Sequence, residues 1–339
     1  METFRSSLTL FLGLLVEAIP FLILGVLVSG LLLFFVDEQK LINLLPQHPF
    51  LGALAGSLIG FLFPVCECGN VPVARRLLSK GVSTPVAIGF LLAAPTINPV
   101  VVWATWTAFR DQPEIVVLRM VFSLVIATLI GWIFSVQSDL KPFLQPAIAM
   151  MVPEARSTSD QAVERPTLLQ SGSFLLDQPG KPVRLDANNF QSVLNPPQSK
   201  PQGVMNRLQL LLDNTLQELR ELGGVLVLGS LIATVIQVAV PREIILGLGQ
   251  GPISSVVAMM TLGGVISICS TVDSFFALSF ASTFTTGAIL AFLVFGPMFD
   301  LKSMGLMLTV FKARAVAYIF GLVMLLTLFF TLVINLWVS

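Results

Sequence analysis

Charge is scarce in this sequence. Asp, Glu, Lys and Arg together supply 11% of its 339 residues, against about 25% in soluble domains, and the mean hydropathy is +0.88. A chain so poor in polar groups is expected in a bilayer. The 19 basic and 19 acidic side chains cancel, so no bulk field attracts a polyanion and no nucleic-acid partner is expected. Histidine occurs once, at His48, and cysteine three times, at Cys66, Cys68 and Cys269. That is too few for a secreted disulfide framework and too few donors for a four-ligand structural zinc site. The sequence holds no P-loop, no H-E-x-x-H and no serine-hydrolase elbow. Nothing therefore points to an ATP-driven pump or a hydrolase, the chain reads as a non-enzyme, and no cofactor is expected.

Long apolar runs are abundant instead. They lie near residues 7–36, 50–65, 84–109 and 115–136, and again near 210–240, 253–270, 286–310 and 315–338. The first is too long for a signal-peptide core, is interrupted by Glu17 and has no clear cleavage site, so it reads as an uncleaved span. Residues 137–207 carry 13 of the 38 charged side chains and are rich in Pro, Gln, Ser and Asn. This composition is that of a flexible cytoplasmic linker between a first membrane part, 1–136, and a second, 208–339.

The two parts repeat each other. EAIPFLILG (17–25) aligns with ELGGVLVLG (221–229), pairing Glu17 with Glu221. VCECGN (65–70) aligns with ICSTVD (268–273), pairing Cys66 with Cys269 and Asn70 with Asp273. FLLAAPTINP (90–99) aligns with FLVFGPMFDL (292–301), pairing Pro95 with Pro297 and Asn98 with Asp300. Duplicated halves around a midplane site are the plan of many secondary transporters. Arg75, Arg76, Lys80 and Gly81 mark a cytoplasmic turn by the positive-inside rule. Asn70 lies 11 residues before Gly81 and Pro95 lies 14 after it, which at helical rise puts both roughly 16 to 20 Å from that turn, near the midplane. The expected fold is therefore an all-α polytopic membrane protein with about eight transmembrane helices in two repeated halves, the helices broken near the midplane. On this topology Lys302, Lys312 and Arg314 fall outside, against the charge rule.

A broken helix survives in lipid only where protein or a watery cavity satisfies the freed backbone groups. Pro64, Gly69 and Pro72 are expected to open the helix so that Cys66, Glu67, Cys68 and Asn70 face one cavity. Asn98 after Pro95, with Cys269, Asp273 and Asp300 from the second half, is expected to complete a substrate-binding site. Cys-x-Cys beside a carboxylate is soft-donor chemistry, suited to a thiophilic metal ion or trivalent arsenic held by Cys66 and Cys68 as cargo. The plainer reading makes the cysteines core filler and Asp273, Asp300 and Glu221 helix caps or structural hydrogen-bonding groups. Carboxylates inside a membrane are commonly functional, which makes Glu17, Glu67 and Glu221 candidates for proton coupling. Gly25, Gly30, Gly56 and Gly60 suit close helix packing, and the four tryptophans suit interfacial anchoring.

The stretch FPVCECGNVPVARRLLSKGVSTPVAIGFLLAAPTINPVVV, residues 63–102, resembles the signature block of a predicted permease family. That family includes the ArsP-type organoarsenical efflux permeases and related copper and zinc efflux permeases. The resemblance rests on P-x-C-x-C-G-x-x-P, then a small helix ending in K-G, then A-P-x-x-N-P, in that order, and it extends over both membrane parts. It implies a multi-pass protein of the plasma (inner) membrane, in contact with lipid, that exports a small thiophilic ion or metalloid, with Cys66 and Cys68 as the thiol ligands. It also implies a second permease subunit as a candidate partner. A membrane thiol oxidoreductase using Cys66 and Cys68, or a passive channel or structural subunit of a larger complex, are the alternative readings.

Overall fold

The structure is a computed structural model that describes residues 2–35, 45, 46, 48–62, 67–135, 143–145, 174–176, 182–184, 204–239, 251–281 and 283–338. Its helices are α1 (Glu2–Phe35), α2 (Pro49–Leu62), α3 (Glu67–Ser79), α4 (Thr84–Ile97), α5 (Pro99–Ala108), α6 (Pro113–Ser135), α7 (Val204–Ala239), α8 (Pro252–Ile266), α9 (Asp273–Leu278), α10 (Thr286–Met298), α11 (Leu301–Met307) and α12 (Ala313–Val338). Two units are distinguished, one comprising Met1–Pro153 with Asn214–Ser339 and the other Glu154–Asp213. In the smaller unit, strands β1 (Phe174–Leu176) and β2 (Pro182–Arg184) pair antiparallel, Leu175 facing Val183. The rest of this account concerns the larger unit.

Among the described residues, five helical stretches are long and apolar enough to cross a membrane: Ser7–Leu27, Thr84–Ala108, Pro113–Ser135, Thr286–Met307 and Ala313–Trp337. The chain is a helical multi-pass membrane protein. At the centre stand α4 and α10, which touch each other. Every residue from Pro85 to Ile97 and from Gly287 to Met298 is buried. A helix apolar on all sides has no face to present to water and is used as core. Helices α2 and α6 pack on α4, α8 and α12 pack on α10, and α1 packs on α3. The outer surface is apolar as well, with Trp103, Leu325, Leu336 and Trp337 among its most exposed side chains, as a lipid-facing surface requires.

Glycine permits the closest contacts. A Cβ on Gly56 would meet the Val86 carbonyl oxygen and lie 2.7 Å from the Val86 Cα, so α2 and α4 touch backbone to backbone, the packing that small residues allow in membranes. Gly81 takes a left-handed φ of 79° in the turn between α3 and α4, where glycine pays no steric penalty.

Two expectations about the breaks need correction. Gly69 and Pro72 do not open a helix: both lie inside α3, which runs unbroken from Glu67 to Ser79. Pro95 and Pro297 likewise lie inside α4 and α10. Proline is accommodated in membrane helices because neighbouring groups take up the carbonyl it leaves unbonded. Pro64 and Cys66 lie outside the described residues. The breaks near the ends of the central helices fall at the caps, as expected at Asn98 and Asp300. Asn98, at ψ 154°, separates α4 from α5, and its Oδ1 accepts the Val101 N–H at 2.9 Å. Asp300 separates α10 from α11, and its Oδ1 accepts the Ser303 N–H at 2.6 Å while Ser303 Oγ accepts the Asp300 N–H at 2.9 Å. Asx side chains hold the first free N–H groups of a helix in this way.

Candidate functional site

Buried polar groups gather where the two membrane parts meet, in two neighbouring clusters. The first is built on the start of α3. Glu67 and Cys68 are buried in its first turn, and α11 packs against this helix. Cys269, Cys68, Asp300 and Lys302 are the charged or ionisable groups that act electrostatically on the Glu67 carboxyl. One carboxylate and one thiol of the first part therefore lie within electrostatic range of one thiol, one carboxylate and one ammonium of the second. Glu67 Oε2 and Asp300 Oδ2 are buried with no hydrogen-bond partner. Such atoms are rare and mark places where a further group is accommodated. Neither Cys68 nor Cys269 is in a disulfide bond. Thr271 Oγ1 lies 3.6 Å from Cys269 Sγ, within reach of a weak O–H···S contact.

Lys302, expected to fall outside with Lys312 and Arg314, is buried at the start of α11. Only 1% of it is exposed, and it faces the Glu67 cluster from the first turn of α11. A cation among buried carboxylates is stabilised by them rather than by water, so its position carries no information about which side of the membrane it faces.

Asn70 has a more local task than substrate contact. Its Nδ2 donates to the Leu91 carbonyl at 2.6 Å. Leu91 is four residues before Pro95, so it is the carbonyl that the missing proline N–H would otherwise have taken. Asn70 thus repairs the gap that Pro95 leaves and ties α3 to α4, while its Oδ1 stays unpartnered. Asn70→Ala is expected to destabilise the fold by about 1–3 kcal/mol, the penalty of an unsatisfied buried carbonyl. In Asn70→Ala/Pro95→Ala the helix can bond Leu91 itself, and most of the loss should be recovered in thermal unfolding. A double variant as unstable as the single one would show that the Leu91 bond is not what Asn70 supplies.

The second cluster is a buried ion pair. Arg119, in the second turn of α6, donates from Nη2 to Asp273 Oδ2 at 2.7 Å and from Nη1 to Asp273 Oδ1 at 3.2 Å. Nη1 also lies 2.9 Å from both Thr105 Oγ1 and Ser274 Oγ. The two hydroxyls are 3.0 Å apart, and Ser274 Oγ donates to Asp273 Oδ1 at 3.0 Å. Both ions are at least 97% buried as side chains, with exposures of 2% and 3%. Asp273 was expected to bind substrate, and here both its oxygens are engaged by Arg119. Sequence reasoning passed over Arg119, although it is the one charge between Glu114 and Asp139. A lone cation in an apolar span is itself a signal of function or of a buried partner.

The remaining expected residues fall elsewhere. Asn98 is fully used as a cap, its Nδ2 donating to the Ala94 carbonyl at 3.2 Å. Pro95 is buried in the wall of α4. Glu221 is about half exposed and pairs with Arg75 of α3 at 3.0 Å. Glu17 lies in α1 with its side chain outside the described residues, and so does Cys66. Among the described residues no three His, Cys, Asp or Glu side chains form a group that could hold a metal ion.

A family model described as a predicted permease matches residues 3–336. Among curated proteins, the chain is similar to the UPF0718 protein YcgR of Bacillus subtilis, at 34% identity over 93% of this chain and 92% of that protein. It is 28% identical, over 97% of its own length and 95% of the other, to a Streptococcus mutans protein named as a two-component membrane permease complex subunit. Similarity to the UPF0718 protein YraQ of Escherichia coli is 27% over 40% of this chain and 38% of that protein. No solved structure matches. With helices suited to crossing a bilayer and a family match that runs almost from end to end, the chain belongs to this predicted permease family.

Proposed function

We propose that this permease is a secondary-active exporter of a thiophilic cargo, a soft metal ion or a trivalent organoarsenical, bound between two duplicated halves in the plasma membrane. The observation that carries the reading is the burial of Glu67 and Cys68 at the start of α3, with Cys269, Asp300 and Lys302 of the other part within electrostatic range of the Glu67 carboxyl. Thiols supply the soft donors, and the unpartnered carboxylate oxygens of Glu67 and Asp300 supply compensation for a cationic cargo. Cys66, one residue before Glu67 in sequence and outside the described residues, is proposed as a further thiol ligand. Duplication is supported by the order of helices, which is one long, four short and one long on each side of residues 136–203. With α2–α3, α4–α5, α8–α9 and α10–α11 each counted as one broken crossing, each half crosses four times. Alternating access between such halves is the usual means of movement. A second permease subunit is a candidate partner, in keeping with the name of the Streptococcus mutans relative.

The test is accumulation of methylarsenite, Cu(I) or Zn(II) in everted membrane vesicles, with and without an imposed proton gradient. Cys68→Ser/Cys269→Ser is expected to lower accumulation of the true cargo at least about tenfold, since losing a soft ligand weakens the site at least as much as losing an outer contact to it. Unchanged transport in this double variant would remove the thiols from the mechanism.

A further inference from the structure

The Arg119 cluster lies outside the thiol site and has no part in the reading above. It joins the two membrane parts through polar groups alone: Arg119 and Thr105 from the first, Asp273 and Ser274 from the second, separated by 154 or more residues in sequence between the ions. The parts also meet through the apolar flanks of α4, α6, α10 and α12, through the Glu67 cluster and through the Arg75–Glu221 pair, but the Arg119 pair is the most deeply buried ion pair among the described residues.

Three observations distinguish this contact from a permanent weld. First, a buried ion pair is a poor means of adding stability, because well-packed apolar side chains of the same volume serve as well or better. Second, two of its three elements are short and set between irregular backbone. Helix α9 has six residues, Asp273–Leu278, preceded by a non-helical stretch in which Ser267 takes a left-handed φ of 51°. Helix α5, which carries Thr105, has ten residues and begins at the Asn98 break. Short helices bounded by breaks shift as pieces, the way gating elements of packed proteins do. Third, buried polar atoms close to the pair in sequence have no bond: Arg119 Nε, Ser123 Oγ one turn along α6, and Ser270 Oγ three residues before Asp273. A contact with two positions needs unbonded polar groups within each half to exchange onto.

We propose that Arg119 and Asp273 form a latch that closes the seam between α5–α6 and α9, and that this seam parts and closes once in every transport cycle. The proposal rests on the alternating-access reading. Opening exchanges the Arg119–Asp273 and Thr105–Ser274 contacts for others within each half, and closing restores them. The residues act by holding the closed arrangement and touch no cargo.

The seam can be locked directly. Thr105 Oγ1 and Ser274 Oγ are 3.0 Å apart, so cysteines at both places have their side chains within disulfide reach. In Thr105→Cys/Ser274→Cys, oxidation is followed by cleavage at a protease site inserted in the 137–207 segment. Halves that stay joined on a non-reducing gel report the extent of cross-linking. The expected result is that cross-linked vesicles transport at about one tenth or less of the reduced rate and recover on reduction, as a blocked gating step requires. The single-cysteine variants treated with the same oxidant should lose nothing that reduction restores. Complete cross-linking with undiminished transport would overturn the proposal.

A second arm needs no cargo, so failure of the proposed function and failure of the latch are separable. Ser274→Cys, with and without Arg119→Gln/Asp273→Asn, is labelled with a membrane-impermeant maleimide. Loss of the latch is expected to speed labelling about tenfold, the response to a population shift of that size. Equal rates in the two backgrounds would show that the pair does not govern the seam.

Discussion

Asp273→Ala is expected to destabilise the protein by about 3–5 kcal/mol, because it leaves the Arg119 guanidinium buried without its counter-ion. Arginine has no means of escape, since it does not give up its proton under any ordinary condition. Thr105 and Ser274 would remain at 2.9 Å, but neutral hydroxyls do not replace a carboxylate. The consequence should be a lower midpoint of thermal unfolding in mild detergent and a small yield of monodisperse protein. The informative comparison is Arg119→Met/Asp273→Ala, in which neither charge remains. It should recover at least about 2 kcal/mol of the loss, since the penalty belongs to the unpaired ion rather than to the missing bond. If the double variant is as unstable as the sum of the two single ones, the pair contributes through packing alone and its electrostatic account is wrong.

The second large effect is expected at Gly25. A Cβ placed there would fall onto the Gly69 Cα and carbonyl oxygen and lie 2.8 Å from the Gly69 carbonyl carbon. No side chain can rotate away to relieve this contact, because both surfaces are backbone. Gly25→Val must therefore push α1 off α3, and overpacking that moves a helix costs about 3 kcal/mol or more. The displacement reaches the thiol site, because Cys68 adjoins Gly69 in the same turn and is 1% exposed. Cargo uptake is expected to fall below detection in Gly25→Val. Gly13→Val serves as control, as no atom lies within 4 Å of its Cβ position. Equal uptake in both variants would show that the α1–α3 contact does not position the site.

Much of this fold was legible because a membrane chain obeys few rules strictly. Apolar runs of the right length announced the crossings, and the Asn98 and Asp300 breaks were marked by a capping residue followed by proline or by a helix start. The prolines misled, because their effect depends on whether a neighbour takes the freed carbonyl. For Pro95 that neighbour is Asn70, 21 residues from Leu91 in sequence, and no local pattern reveals it. Lys302 shows a related limit of local rules. Charge rules assume that a lysine near the end of an apolar run faces water, whereas this one is 1% exposed and lies within electrostatic range of the buried Glu67 carboxyl.

The plainer reading of Asp300 as a cap was correct for one oxygen, and the functional reading concerns the other. That division is invisible in sequence, since a residue type states which atoms are present and not which are already bonded. The same holds for Asp273, whose carboxylate is engaged by an arginine 154 residues away.

Composition, run length and local spacing, which act over a few residues, are enough to make this protein helical, able to cross a membrane several times and supplied with soft donors near a helix start, while the permease family was legible only through the resemblance carried by residues 63–102. Long-range packing settled which polar groups come near one another: Cys68 and Cys269 within electrostatic range of Glu67, and Arg119 paired with Asp273. Such choices are made by long-range packing of α4 against α10, because in a low-dielectric interior each buried charge or dipole is stable only beside the partner that the fold brings to it.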